Sequence, residues 1–421
     1  MPPAKNTLKG ETRIAGRMRS FFVEHRAFSA LLFLGVCLRF LHIAWGLPQL
    51  YEEAIPLHYG LKFWDLVKSP IDQFFFVYPA LTYYIQWMAQ AVVFCGGYVT
   101  GHYASVAAFL ASFEKDPSLL VVVGRSISII FDAGTIVVAY LTLHKFASKR
   151  AAVLAAALLS VNSLHISQAH LINVDTPLTF FSVLLLYLLL SLHREPTFRR
   201  YIACGIVVGL AAATKYHAAA LVLALILTHL LRARSTAEVG RLLAERSLYA
   251  ALALSGAVFL ALNPLIFSHV GNFLEKFSAT QAHMEAGHLG IDPGRSTLAY
   301  YLLDSLPESL GWILTVTSLA SVLAFLVSKE RWKYVVLSVP AIYLVILGSW
   351  QMRADRYMLM IIRFTDIEWA GHHAAMTASF ERRGVLQSRP TVLPVVDGEG
   401  KVQGIVHLHD LLGRGEFKFT C

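Results

Sequence analysis

The stretch VVVGRSISIIFDAGTIVVAYLTLH, residues 121–144, is an apolar run long enough to cross a lipid bilayer as a helix. The rest of the chain has the same character, since 56% of its 421 residues are hydrophobic and only 15% are charged. Soluble domains carry about 25% charged residues. Lipid rather than water is therefore the predicted solvent for most of this chain, which we expect to fold as an all-α polytopic membrane protein.

Other apolar runs of similar length occur along the first 350 residues. They lie near 27–45, 151–168, 177–192, 201–214, 217–231, 248–268, 308–327 and 334–350. Together with 121–144 they predict about nine transmembrane helices. A further run, 74–94, is interrupted by Pro79 and is rich in Tyr, Trp and Gln. That composition is typical of a helix that lies at the membrane surface, and we interpret it as interfacial.

The distribution of Lys and Arg tests this topology, because these residues concentrate in cytoplasmic loops. Nine spans with a cytoplasmic amino terminus place 19 Lys and Arg residues inside and 8 outside. A spanning 74–94 segment would reverse every later loop and move the basic residues of 145–150 and 193–200 outside. The net charge of +9 therefore marks cytoplasmic loops and gives no indication of a nucleic-acid partner. We expect a multi-pass protein of the cell inner (plasma) membrane.

With this topology, ionisable residues from distant parts of the sequence share the outer side of the membrane. They are Glu52, Glu53, Asp175, Lys215, His283, His288, Arg353, Arg356 and Tyr357. Each alone is compatible with a loop solvated by headgroup water, whereas the set, with a lysine in a very short turn, indicates a functional site. A carboxylate can deprotonate a hydroxyl while cations hold a phosphate. Sugar transfer from a lipid phosphate needs both.

Six stretches in order resemble the GT-C polyprenyl-phosphate-dependent glycosyltransferases, the group of the protein O-mannosyltransferases and the lipid A aminoarabinose transferases. The stretches are YEEAIPLHYGLKF (51–63), FVYPALTYYIQ (76–86), GRSISIIFDAGTIVVAYLTLHKF (124–146), SLHISQAHLINVDTPLTFF (163–181), GLAAATKYHAAALVLA (209–224) and RADRYMLM (353–360). The resemblance implies an inverting transferase that moves a sugar from polyprenyl phosphate to a lipid, glycan or protein acceptor outside the cytoplasm. It places a transmembrane core at 27–360, after a basic cytoplasmic segment at 1–26.

The resemblance also implies roles for individual residues. Glu52 occupies the position of the catalytic base and Glu53 that of its acidic neighbour, where the family usually carries Asp-Glu. Asp175 and His58 are assigned to substrate binding. The residues assigned to the donor phosphate are Lys215, Arg353, Arg356, Tyr357 and Arg125. Some members of the family bind a divalent metal ion, which makes His283 and His288 candidate ligands; no other cofactor is predicted.

The character of the chain changes after Met360. The segment 374–414, which contains RPTVLPVVDGEGKVQGIVHLHDLL, reads as strand, turn, strand and short helix. It resembles a single CBS motif, notably that of arabinose-5-phosphate isomerase. We expect a small α/β appendix over 361–421, either a native domain that pairs with a second copy or the product of a gene fusion that shortened the transferase core.

Two other classes of function stay open at this point. A secondary transporter would place charges near the bilayer midplane, and Asp132, inside a predicted span, is the residue that best supports it. A catalytically impaired remnant of the transferase fold would bind polyprenyl phosphate without turnover. Substrate flux without a glycosylated product would identify the transporter.

Overall fold

The computed structural model describes residues 25–48, 54–65, 71–287, 295–327 and 329–360, together with two strands at 392–396 and 402–407. Contacts separate the helical part and the strands into two compact units. Glu52, Glu53 and His288 lie outside the described residues.

The helical unit contains seventeen α-helices in the described residues. They are α1 (Arg26–Phe40), α2 (Ala54–Lys62), α3 (Leu81–Val99), α4 (Val106–Lys115), α5 (Ser118–Phe146), α6 (Lys149–Val161), α7 (Ser163–Ala169), α8 (Asp175–Arg194), α9 (Phe198–Ala212), α10 (Val222–Leu230), α11 (Thr236–Leu243), α12 (Arg246–Leu262), α13 (Leu265–Ser268), α14 (Val270–Ala286), α15 (Thr297–Tyr300), α16 (Leu306–Leu326) and α17 (Arg331–Gly348). Tighter 3-10 turns occupy Gln73–Val77, Tyr216–Leu221 and Asp355–Met360, and a π-helical turn, Tyr301–Ser305, joins α15 to α16.

Every predicted apolar run coincides with a helix, but fewer of the helices qualify as spans on their own. Within the described residues, α5, α8 and α17 are long and apolar enough to cross a membrane, and the count rises to five if two bent helix pairs each form one span. The pairs are α6 with α7, bent by 57°, and α11 with α12, bent by 51°. The predicted run 151–168 is thus one of these broken elements. Gly311, at φ 71°, similarly interrupts α16 with a backbone conformation that suits glycine.

The segment predicted to lie at the interface is divided near Pro79. A 3-10 turn ends at Val77, and α3 then begins at Leu81. α3 has 19 residues but is not among the helices apolar enough to cross a membrane. The start of α3 is fixed to the helical bundle, because Leu81 N donates to Ala213 O at 3.2 Å and Ala80 N donates to Asn263 Oδ1 at 2.8 Å. This contact brings the segment against the turn that precedes Lys215.

The main hydrophobic core lies among α8, α9, α10 and α17, with members such as Leu185, Val208, Leu225 and Tyr343. α9 also packs closely on α12 through Gly205. A Cβ atom at that position would lie 2.4 Å from Ala251 O, so the close approach of these two helices requires glycine.

A buried charge network joins α1, α5 and the bend between α6 and α7. The Arg39 guanidinium pairs with Asp132 through Nε, and it also donates to the carbonyl oxygens of Ser160 (3.0 Å) and Leu159 (3.0 Å). His165 Nδ1 lies 2.7 Å from the other oxygen of Asp132. Arg39 is fully buried and Asp132 is 2% exposed. Asp132 is therefore a compensated structural charge, which removes the best support for the transporter hypothesis.

The described part of the second unit is a β-hairpin. β1 (Val392–Val396) pairs antiparallel with β2 (Val402–His407), with Val392 opposite His407 and an irregularity between Val395 and Val396. These are the two strands predicted on either side of the Asp397-Gly-Glu-Gly turn.

Candidate functional site

Asp175, the first residue of α8, is the centre of a compact charged cluster. Its Oδ1 accepts a hydrogen bond from Lys215 Nζ at 2.7 Å, and its Oδ2 lies 3.7 Å from Arg356 Nε. Lys215 occupies the turn between α9 and the 3-10 turn at Tyr216, as the short loop in the sequence predicted. The side chains of Asp175 and Lys215 are only 6% and 9% exposed, whereas that of Arg356 is 23% exposed. The cluster is therefore mostly buried, and Arg356 is its most exposed member.

Tyr357 completes this cluster. Lys215 Nζ lies 4.3 Å from the centre of the Tyr357 ring, and the guanidinium carbon of Arg356 lies 5.3 Å from it. Cations at these distances are attracted to the ring face. The structure thus brings together four residues that the resemblance assigned to substrate and phosphate: Asp175, Lys215, Arg356 and Tyr357.

The 3-10 turn that carries Arg356 and Tyr357 is held by Asp355. Asp355 Oδ1 accepts hydrogen bonds from Tyr300 Oη at 2.8 Å and from Ser305 Oγ at 2.7 Å. Since both donors belong to the segment 297–305, the turn is fixed to α15 and the π-helical turn that follows it. The sequence carried no signal for this positioning role, because an aspartate between two arginines in RADRY is also compatible with a solvated loop.

The carboxylate of Asp175 is shared by two cations. It forms ion pairs with both Lys215 and Arg356, so it orients both side chains. Tyr78 contributes a neutral donor nearby, because burial and the negative charge of Asp175 raise the pKa of its phenol far above the usual range. Preorganised cationic donors at a mostly buried position suit a phosphate oxygen.

Arg353, which is close to this cluster in sequence, contacts the segment around α15. Its guanidinium donates to Thr297 Oγ1 at 3.4 Å and to the carbonyl oxygen of Arg295, and it lies 5.7 Å from the centre of the Tyr300 ring. These contacts fix the loop before α15, and the part of Arg353 in phosphate binding stays a prediction.

Arg125 has a different environment from the one implied by the resemblance. It is fully buried in α5, and its Nη1 donates to Ile43 O at 2.6 Å and to Trp45 O at 2.9 Å. The guanidinium carbon also lies 5.4 Å from the centre of the Trp45 ring. These contacts hold the chain that follows α1, which indicates a positioning role for Arg125; its part in phosphate binding stays a prediction.

If the protein transfers a sugar from polyprenyl phosphate, as the resemblance implies, we expect Arg125→Met to lower the turnover number of that reaction while leaving the affinity for the donor phosphate unchanged. Loss of the hydrogen bonds to Ile43 and Trp45 displaces the segment before Glu52, and a displacement of about 1 Å can cost up to about 100-fold in rate. Transfer kinetics and donor binding would be measured on the same preparation. If Arg125→Met lowered the donor affinity as much as a Lys215 variant does, Arg125 would be assigned to phosphate binding.

A second polar cluster, which the sequence did not indicate, lies in the outer segment near His58. Asp72 caps the turn that begins at Gln73, and it accepts from Tyr59 Oη at 2.8 Å and from Lys62 Nζ at 2.6 Å. Burial alone would raise the pKa of Asp72, but the hydrogen bonds from Lys62 and Tyr59 hold it below the usual value. The pKa of the adjacent His58 is lowered by desolvation and then by the charge of Lys62. His58 therefore belongs to this cluster, as a neutral imidazole.

A small cleft lies between α2 and the start of α8, and Pro56 and Pro177 are on its two sides. Polar side chains also line it, among them Gln86 and Ser128. The buried Thr82 Oγ1 has no hydrogen-bond partner in the part of the chain that the structure describes. An unpaired buried hydroxyl is costly. The cleft encloses only about 10 Å³, which is room for about one water molecule beside this hydroxyl.

The predicted metal site is only half described. His283 lies in the last turn of α14, whereas His288 is outside the described residues. Within the described ranges, no group of three His, Cys, Asp or Glu side chains is arranged to hold a metal ion. The metal site stays a prediction, and we derive no chemical step from it.

Comparisons with known proteins agree with this architecture. The family described as dolichyl-phosphate-mannose-protein mannosyltransferase matches residues 118–267, which is a little over a third of the chain. No curated protein sequence matches.

Among solved structures, ArnT from Cupriavidus metallidurans bound to undecaprenyl phosphate is similar with a TM-score of 0.56 and 12% identity, over 85% of this chain and 64% of that one. The apo oligosaccharyltransferase of Archaeoglobus fulgidus is similar with a TM-score of 0.52 and 14% identity, over 86% of this chain and 51% of that one. AglB from the same organism, with an inhibitory peptide and a dolichol-phosphate, gives 0.50 and 13%, over 88% and 53%.

These similarities establish the fold. The chain is an α-helical membrane protein of the GT-C type, and it spans about half to two-thirds of the length of the solved structures that it resembles. The family match includes Asp175 and Lys215 and ends before Arg356.

Proposed function

We propose that this protein is a membrane glycosyltransferase that moves a sugar from a polyprenyl-phosphate donor to an acceptor hydroxyl. The observation that carries the proposal is the cluster in which two cations, Lys215 and Arg356, flank the buried carboxylate of Asp175. Support also comes from the GT-C fold, because two similar proteins are described with undecaprenyl phosphate and with a dolichol-phosphate.

In the proposed reaction Glu52 accepts the proton of the acceptor hydroxyl, whose oxygen attacks the anomeric carbon of the sugar. The bond between that carbon and the phosphate oxygen breaks, and polyprenyl phosphate leaves with the bonding electron pair. Lys215 and Arg356 stabilise the charge that develops on the leaving oxygen. Attack by the acceptor opposite the leaving group inverts the anomeric centre. A phosphate is already an acceptable leaving group, so no general acid is required.

The direct test is donor binding by Lys215→Met. Methionine keeps much of the length of lysine but removes the charge, and a charge-assisted hydrogen bond to phosphate contributes about 1.5–3 kcal/mol. We expect the affinity for undecaprenyl phosphate to fall about 10- to 100-fold, as measured by binding to the protein in detergent or nanodiscs.

Lys149→Met is the matched control, because Lys149 is an exposed lysine at the first residue of α6. The basic residues around it assign this end of the helix to the cytoplasmic side. Equal affinities for the two variants would contradict the proposal. Removal of Lys215 also leaves Asp175 beside Arg356, so the thermal stability of both variants should be compared to confirm that the site stays folded.

We further propose that the amino terminus is cytoplasmic, that the Asp175 cluster lies on the outer side of the inner membrane, and that residues 361–421 form a CBS-like appendix. The first two proposals rest on the excess of Lys and Arg in the loops at the opposite end of the bundle. The third rests on the resemblance and on the hairpin formed by β1 and β2. Modification of single cysteines introduced into the loops by a membrane-impermeant thiol reagent would test the orientation.

A further inference from the structure

A cleft of about 320 Å³ lies at the end of α8 opposite to Asp175. Its lining consists of Phe146, Leu190, His193, Arg194 and Trp332, which belong to the last turns of α5 and α8 and the first turn of α17. α8 has 20 residues, so its two ends are about 30 Å apart. The cleft is therefore a separate site from the Asp175 cluster, at the other membrane surface.

The cleft combines apolar walls with positive charge. Phe146, Leu190 and Trp332 supply the apolar surface, and Arg194 supplies an exposed cation at the rim. Two more cations lie beside the lining: Lys145, 5.1 Å from the centre of the Phe146 ring, and Arg331, whose charge acts on His193. This pattern is that of a pocket for an amphiphile with an anionic head.

The charges of Arg194 and Lys145 act on one nearby carboxylate, Glu195, whose ion-pair partner is Arg200. Lys145 donates to Tyr187 Oη at 3.3 Å and to Ser191 Oγ at 3.1 Å, and Arg331 donates to the carbonyl oxygen of Leu231 at 3.3 Å. Arg194 forms no hydrogen bond with any residue that the structure describes. Within the same described residues, none of these three cations is in an ion pair.

The carboxylates close to the cleft are already paired with other cations. Glu195 is bound to Arg200 at 2.6 Å, and Glu330 lies 3.6 Å from Lys333 and accepts from Trp332 Nε1 at 2.7 Å. The remaining field at the cleft is therefore positive.

Two further features favour an anion in the cleft. His193 Nδ1 is buried and has no hydrogen-bond partner among the described residues, so it is available to a ligand. In addition, the cleft lies at the amino-terminal end of α17, an 18-residue helix without a side-chain cap. The free N–H groups at a helix start attract negative charge.

We propose that this cleft binds one anionic phospholipid of the adjacent leaflet, with its phosphate at Arg194, Lys145 and the start of α17 and its acyl chains along Phe146, Leu190 and Trp332. Basic pockets between membrane helices bind anionic lipid headgroups in this way. The apolar walls select a phospholipid over free inorganic phosphate. The proposal does not depend on the sugar-transfer activity.

The test is native mass spectrometry of the full-length protein released from nanodiscs that contain equal amounts of phosphatidylglycerol and phosphatidylcholine. We expect one phosphatidylglycerol to be retained, and we expect Arg194→Gln to lower its apparent affinity about fivefold, the effect of one cation near a lipid headgroup. Arg199→Gln is the matched control, since Arg199 is also exposed and lies five residues further along, outside the cleft lining.

Retention that is equal in the two variants, or that does not distinguish phosphatidylglycerol from phosphatidylcholine, would overturn the proposal. Displacement of the lipid by inorganic phosphate at the same concentration would contradict the part assigned to the apolar walls. Trp332→Phe provides an independent reading: quenching of tryptophan fluorescence by brominated phosphatidylglycerol should be smaller than in the unmodified protein if the acyl chains lie against Trp332.

Discussion

Replacing Asp132 with Leu is expected to destabilise the protein by about 3–5 kcal/mol, the cost of leaving a buried charge without its partner. The guanidinium of Arg39 is fully buried and pairs with Asp132, and its remaining hydrogen bonds go to backbone carbonyls. Without Asp132 the positive charge stays in the bundle with no counter-charge. The free energy of unfolding, measured in detergent micelles, should fall accordingly.

A double substitution makes this prediction specific. Arg39→Leu together with Asp132→Leu removes both charges, and apolar residues often replace a buried ion pair at little cost. We expect the double variant to be more stable than Asp132→Leu alone. Glu114→Leu, at an exposed position in α4, is the control and should change stability by less than about 0.5 kcal/mol. A single Asp132 variant as stable as this control would show that the network does not hold α1 and α5 together.

Replacing Glu52 with Gln is expected to lower the rate of sugar transfer about 10²- to 10⁴-fold, the usual contribution of a general base. Glutamine keeps the shape of the side chain but cannot take the proton of the acceptor hydroxyl. The affinity for polyprenyl phosphate should stay unchanged, because Lys215 and Arg356 are intact. Single-turnover transfer and equilibrium donor binding, measured side by side, separate the two effects.

Two other variants sharpen this result. Glu52→Asp keeps a carboxylate and shortens the side chain by one methylene, so it should lose less activity than Glu52→Gln. Glu53→Gln, at the neighbouring acid, should also lose less if Glu52 is the base. An unchanged rate in Glu52→Gln would contradict the assignment of Glu52 as the base. The phosphate site would still be supported if Lys215→Met lowered the affinity for undecaprenyl phosphate as expected.

The helical architecture could be predicted from the sequence, because a long apolar run in lipid must satisfy its own backbone hydrogen bonds and a helix does so within one segment. The run 121–144 lies within α5, and 177–192 lies within α8. The positions at which the helices bend or end were harder to predict. The bend after Val161 depends on Asn162, whose Oδ1 accepts from His165 N at 2.8 Å and begins a new helix inside a continuous apolar run.

The candidate site was predictable only in part. The ordered resemblance brought Asp175, Lys215, Arg356 and Tyr357 into one set, and the structure shows them in contact. The resemblance could not indicate the partners of Arg125. A buried arginine can donate to a phosphate or to a backbone carbonyl, and the packing of neighbouring segments decides which of them it meets. The pairing of Arg39 with Asp132 was hidden for the same reason, since the two residues are 93 positions apart.

The length of α8 has a mechanical consequence. At about 1.5 Å per residue, its 20 residues measure about 30 Å, the hydrophobic thickness of an ordinary bilayer. One helix thus separates the proposed phosphate site at Asp175 from the cationic cleft at Arg194, and its length limits how deeply the protein can lie in the membrane. In a thicker or thinner membrane, either the helix tilts or the surrounding lipid deforms. Bilayer thickness then determines whether both leaflets can present their headgroups to the protein at the same time.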